Sequence, residues 1–217
     1  MVTGVIFDMD GLMFDTEPLW KACWAPALAL FGLEELPGLA DAARGVAAPQ
    51  TVPIIARFYG PDVDAAAIRR EFDRLAAERF AQGVPQKPGL DDLLAYLEER
   101  GVPRAVASSS PRAMVEGNLA HAGLTDRFDA VVAGGEVVRS KPDPDIFLEA
   151  ARRLGCDPAT TLVLEDSFAG VRAGAAGGFV TVMVPDLMQP TDEVRALCRA
   201  VCSDLGEVCG LLRAGEL

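Results

Sequence analysis

Apolar and polar positions fall into two regimes along this chain. From about residue 86 onward, short apolar runs rich in β-branched residues alternate with stretches whose apolar positions recur every three or four residues. That alternation is the pattern of parallel βα units. It predicts strands at 104–108, 128–133, 161–164 and 179–184, which join an N-terminal run at 2–7 in a five-stranded parallel sheet. Between them, Ile146, Phe147, Ala150, Ala151 and Leu154 share one helical face, with Pro144 near its start and Gly155 as its stop. Phe168, Val171 and Ala175 repeat that spacing behind Ser167, which predicts a helix cap.

Residues 16–85 show helical periodicity and no convincing strand. Trp20, Trp24, Leu28 and Phe31 form one stripe, and Ile68, Phe72, Leu75, Ala76 and Phe80 form another. Aromatic stripes of this kind are usually core. The segment 83–89, with two glycines at its ends and prolines at 85 and 88, breaks both neighbours and predicts a return linker. The chain therefore leaves the sheet after its first strand, builds a helical domain, and comes back. This predicts an α/β core from 1–15 and 86–217 with an inserted all-helical domain at 16–85.

Composition narrows the ligand. The 217 residues are half hydrophobic and carry a formal net charge of −12 with a pI near 4.5, which argues against nucleic acid and anionic membrane as partners. A small molecule is the expected partner. Only three lysines occur, Lys21, Lys87 and Lys141, so the location of each matters. Five cysteines, odd in number and without a C-x-x-C spacing, predict reduced thiols and a cytoplasmic protein. No apolar run reaches membrane length, and the N-terminus reads as a strand rather than a signal peptide.

The polar residues at the strand exits carry the chemistry. Val5-Ile6-Phe7 empties into Asp8 and Asp10, separated by one residue, and Gly11 follows to let the chain turn. The second strand ends in Ser108-Ser109-Ser110, Lys141 follows the third, and the fourth ends in Glu165-Asp166-Ser167. Each has a plain structural reading taken alone: a turn former, a solvated loop charge, a helix-capping pair. In a parallel sheet all these ends lie on one edge, where open α/β folds bind ligands.

At this point the chain resembles the haloacid dehalogenase-like superfamily, in its β-phosphoglucomutase-like and phosphatase branch. The segment from Asp8 to Glu17 is similar to the first family motif, Ser108 to the second, Lys141 in Ser140-Lys141-Pro142-Asp143-Pro144-Asp145 to the third, and Glu165-Asp166-Ser167 to the fourth. The resemblance implies a Rossmann-like core with a helical cap inserted after the first motif. It implies that Asp8 attacks phosphorus to form an aspartyl-phosphate and that Asp10 protonates the leaving oxygen and then activates water. Ser108, Ser109 and nearby backbone N–H groups would hold the phosphoryl oxygens, and Lys141 would offset their charge. Asp8, Asp10 (through its backbone carbonyl), Glu165 and Asp166 would form a Mg²⁺ site.

Electrostatics supports the ion independently, because about four acids against one lysine would force some to protonate unless a cation joined them. Oxygen donors suit Mg²⁺, and no convergent His or Cys set suggests zinc. Asp10 separates this chain from dehalogenases, which lack the second aspartate, and no cap lysine falls where a phosphonatase carries one. Where β-phosphoglucomutases carry a histidine, this chain has Trp20. A phosphatase of small phosphorylated metabolites, sugar phosphates foremost, is therefore expected, with a mutase as the alternative and a non-catalytic phospho-acceptor sensor behind it. The resemblance makes Glu17, Trp20, Trp24 and Arg44 the candidate cap contacts, and a monomer or weak homodimer is expected.

Overall fold

Val5, Ile6 and Phe7 are fully buried one after another, so both faces of their strand must be covered. A central strand of a parallel sheet meets that demand. The structure, a computed structural model, describes residues 2–43, 46 and 48–217. In chain order the elements are β1 (Gly4–Phe7), α1 (Glu17–Ala29), α2 (Leu39–Ala43), α3 (Ala48–Tyr59), α4 (Ala65–Phe80), α5 (Leu90–Glu99), β2 (Arg104–Pro111) and α6 (Arg112–His121). There follow β3 (Ala130–Gly134), α7 (Asp145–Leu154), β4 (Thr161–Glu165), α8 (Phe168–Ala176), β5 (Val180–Met183), α9 (Asp192–Leu197), β6 (Ala200–Val201) and α10 (Leu205–Ala214). All strands pair in parallel, in the order β3-β2-β1-β4-β5-β6. The sheet thus has six strands where the hydrophobic pattern predicts five. The extra one, β6, is two residues long, too short to show any alternation.

Side-chain parity sorts the core into two layers. Val5 and Phe7 join Val106, Leu162 and Leu164 in a cluster with Leu93 and Leu97 of α5, Leu119 of α6 and Val208 of α10. Ile6, Ala105, Ala107 and Val163 point the other way, into a cluster with Ile146, Phe147, Ala150 and Ala151 of α7 and Ala173 of α8. Successive residues on a strand face opposite sides, so helices cover both faces. The helix ends are those the sequence marks: Pro144 precedes α7, Gly155 ends it in the left-handed region at φ 68°, and Ser167 caps α8 by accepting from the Gly170 N–H at 3.1 Å.

The chain divides into two compact units, one of residues 1–15 and 84–217 and the other of residues 16–83. Within the first, the segments flanking the insertion are stitched together: the Asp15 N–H donates to the Pro85 carbonyl at 2.9 Å and the Lys87 N–H to the Met13 carbonyl at 2.8 Å. Within the second, Trp20 and Trp24 of α1 pack on Phe72 of α4, and Asp64 caps α4 by accepting from the Ala67 N–H. Among the described residues no helix is long and apolar enough to cross a membrane.

Phe147 ties the α7 layer together. It is fully buried, meets the Phe179 ring edge-on with centroids 6.2 Å apart, and lies 4.7 Å beneath the Lys141 ammonium. Phe147→Ala is expected to destabilise the protein by about 3–5 kcal/mol, read from urea unfolding at constant m-value.

Candidate active site

Strand parity and register bring the first pair of acids together. β1 and β4 run side by side with Phe7 opposite Leu164, and the Asp8 N–H donates to the Leu164 carbonyl at 3.0 Å. Asp8 and Glu165 therefore continue the rows of Ile6 and Val163 and emerge on the α7 side. The strand order reverses at β1, so these two exits flank the crevice where doubly wound sheets bind ligands.

Lys141 comes to this point from the loop before α7. Its Nζ donates to Asp8 Oδ1 at 2.5 Å, to Glu165 Oε1 at 2.6 Å and to the Ala107 carbonyl at 3.3 Å, which uses all three of its protons. The other Glu165 oxygen, Oε2, accepts from the N–H and the hydroxyl of Ser167, each at 2.9 Å. Glu165 is wholly buried, and a Cβ at Gly170, in the first turn of α8, would collide with its carboxylate. Both Glu165 oxygens are thus engaged by the protein.

Asp10 meets the end of β2. Its Oδ2 accepts from the hydroxyls of Ser108 at 3.2 Å and Ser110 at 2.8 Å, while the Ser108 oxygen accepts from the Ser110 N–H at 3.0 Å. Two donors hold one carboxylate oxygen and so set the orientation of the group. Ser109 lies exposed on the same strand end. Gly11 makes the turn between the two aspartates and the rest of the loop, at φ +83°. A side chain there would run into Asp166 Oδ2.

The charges at this edge are strongly unbalanced. Burial is the main cause that raises Asp8, to about 8, with Glu165 and Asp10 adding repulsion and Lys141 opposing it. Burial likewise raises Asp166, helped by the charges of Glu165, Asp8 and Asp186. Burial would lower Lys141, but Asp8 and Glu165 outweigh it and hold the ammonium above its ordinary value. Carboxylate oxygens of Asp8, Glu165 and Asp166 lie within 4.8 Å of one another, those of Glu165 being already bonded to Lys141 and Ser167. An all-oxygen donor set under mutual repulsion fits a hard divalent cation. The buried Asp186 Oδ2, which has no hydrogen-bond partner, adds a further acceptor to this edge.

Sequence reasoning missed Lys87 and Asp186. Lys87 Nζ donates to Asp186 Oδ1 at 2.6 Å and reaches Asp15 Oδ1 at 3.4 Å. Two of the three lysines therefore stand among these acids. Asp186 lies in the loop that leaves β5, three residues beyond Met183, so extending the strand-exit rule to that loop would have found it. Lys87 sits in a segment read only as Pro and Gly punctuation.

The candidate residues of the helical unit stand apart from this description. Glu17 lies in the first turn of α1. The Trp20 ring is stacked on Phe72 and tilted on Phe80, with centroids 5.9 and 4.6 Å away, and Trp24 is buried, so both serve the core of their own unit. Arg44 lies outside the described residues.

The family model of haloacid dehalogenase-like hydrolases matches residues 2–178. The chain is 35% identical over 181 residues to the fructose-1-phosphate phosphatase YqaB of Escherichia coli K12, which spans 83% of this chain and 95% of that protein. It is 31% identical over 216 residues to hexitol phosphatase B of the same strain, covering 95% of this chain and 94% of that one. Among solved structures, CbbY from Rhodobacter sphaeroides in complex with phosphate superposes with a TM-score of 0.79 at 26% identity, covering 96% of each chain.

The raised acids imply a pH signature in protein freed of divalent cations. Asp8 stands near 8 in the fold against an ordinary value of 3.8. Between those limits the folded state keeps a proton that the unfolded state has lost, so this contribution to stability is full below about pH 4 and is lost as pH rises toward 8. In a chelated sample the thermal midpoint is expected to fall between pH 5 and 8, and Asp8→Asn to flatten that fall. Identical pH profiles for the two proteins would contradict it.

Proposed function

The chain belongs to the haloacid dehalogenase-like hydrolase family and is a phosphatase of it, and on that footing we propose that it hydrolyses small phosphomonoesters, sugar phosphates foremost, with Mg²⁺ and through an aspartyl-phosphate. The observation that carries this reading is the Lys141 ammonium clamped between Asp8 and Glu165 at the exits of β1 and β4, with Asp10 held by two serines beside it. The names of the curated relatives support the substrate class.

In this reading an Asp8 carboxylate oxygen attacks phosphorus, an O–P bond forms, and the ester oxygen leaves with a proton from Asp10. Water then attacks the phosphorus of the acyl phosphate, Asp10 takes its proton back, and inorganic phosphate departs as Asp8 is restored. Ser108 and Ser110 keep Asp10 in one orientation for both transfers. Lys141 fixes the Asp8 rotamer and supplies positive charge to the phosphoryl oxygens, and Ser109 adds a hydroxyl at the same strand end. Asp8 and Asp166, with the main-chain carbonyl of Asp10, would hold Mg²⁺, which would neutralise the acids and the incoming phosphate. Glu165, its oxygens taken by Lys141 and Ser167, acts from behind by keeping Lys141 charged and placed. The five cysteines are free thiols, which supports a cytoplasmic setting.

Phosphate release from a panel of phosphorylated sugars tests the proposal. EDTA should abolish release and Mg²⁺ restore it, Asp8→Asn should leave background only, and Asp10→Asn should lower the rate about 10²- to 10⁴-fold. Substantial turnover by Asp8→Asn would sink the reading. The same assay, run on β-glucose 1-phosphate with a bisphosphate activator, identifies a mutase if an isomer accumulates without free phosphate.

A further inference from the structure

The Asp186 side chain is 10% exposed and half used. Its Oδ1 accepts from Lys87 at 2.6 Å, whereas its Oδ2 is buried with no hydrogen-bond partner. A buried carboxylate oxygen without a donor costs on the order of 1–3 kcal/mol or more. Rotation cannot relieve it while Lys87 holds the other oxygen.

Gly11 shows where the free oxygen points. A Cβ built on Gly11 would strike Asp166 Oδ2 and would stand 3.4 Å from Asp186 Oδ2, so both oxygens border the space that the glycine leaves open. Asp186 nevertheless lies outside the trio of Asp8, Glu165 and Asp166 whose oxygens fall within 4.8 Å of one another. It stands one step behind the cation donors. Mg²⁺ sheds its hydration reluctantly and usually keeps several waters, and those waters need acceptors.

We propose that Asp186 is a positioning residue of the cation site: its free Oδ2 accepts a hydrogen bond from a water that hydrates a divalent ion held by Asp8 and Asp166. Lys87 fixes the rotation of the carboxylate so that this oxygen stays turned toward Asp166. The effect is to raise the affinity for the ion without touching the phosphoryl group. This inference rests on the Mg²⁺-dependent reading above and adds a residue that the four strand-exit motifs do not contain.

Calorimetric titration of the chelated protein with Mg²⁺ alone, in the absence of substrate, tests it. Removing an acceptor of this kind typically weakens metal binding about 10- to 100-fold, and that loss is expected for Asp186→Asn. Asp186→Glu, which keeps the charge but moves the oxygen, is expected to lose affinity as well. If Asp186→Asn binds Mg²⁺ as tightly as the wild type, the proposal falls. If Asp186→Asn is weakened while Asp186→Glu is not, charge alone is at work and the positioning role falls. Should Asp186→Asn not fold, Asp186→Ser carries the same expectation. Wild-type protein that binds no Mg²⁺ would overturn the metal-dependent reading itself, an outcome distinct from the failure of Asp186 alone.

Discussion

One ammonium group between two buried carboxylates organises this molecule. Lys141 satisfies all three of its protons on Asp8, Glu165 and a strand carbonyl, at a point where the side chains of all three charged residues are nearly sealed from water. Burying any one of these charges alone would be prohibitive, and the cluster is tolerable only with its partners in place. The clamp still leaves an excess of acid, since Asp10, Asp166 and Asp186 crowd the same edge, where Lys87 pairs with Asp186. The fold therefore holds a deficit of positive charge at this edge.

The rest of the architecture can be traced to keeping that clamp in register. Asp8 and Glu165 face each other because β1 and β4 are neighbours in a sheet whose order reverses at β1, and because both acids share the parity of the α7 layer. Phe147 closes the underside of Lys141 and belongs to the same layer. Small residues make the remaining room: Gly170 lets the first turn of α8 press against Glu165, and Gly11 turns the first loop past Asp166. Core packing and the acidic cluster thus share atoms, and stability cannot be adjusted at these positions without moving the charges.

Much of this was legible in the chain because β-branched runs ending in charged residues are conspicuous. Asp8, Asp10, Ser108, Lys141, Glu165 and Asp166 were placed on one edge by that logic, and the structure gathers them there. What escaped notice lacked such contrast. β6 has two residues and no periodicity. Asp186 and Lys87 meet across 99 positions through a pairing that only the finished sheet creates. Trp20 and Trp24 were ambiguous for a different reason, since an aromatic stripe reads the same whether it meets a ligand or, as here, Phe72 and Phe80.

The paired segments on either side of the insertion have a further implication. Met13 and Asp15 bond to Lys87 and Pro85 within the core unit, so residues 16–83 depart and return through a single narrow neck. The neck is closed by its own hydrogen bonds, whatever lies beyond it. A tight reverse turn could span it, and a differently shaped insert could hang from it, without disturbing the strands that carry the acids. The helical unit is in this sense an interchangeable module, joined to the core at one place and carrying none of its strands.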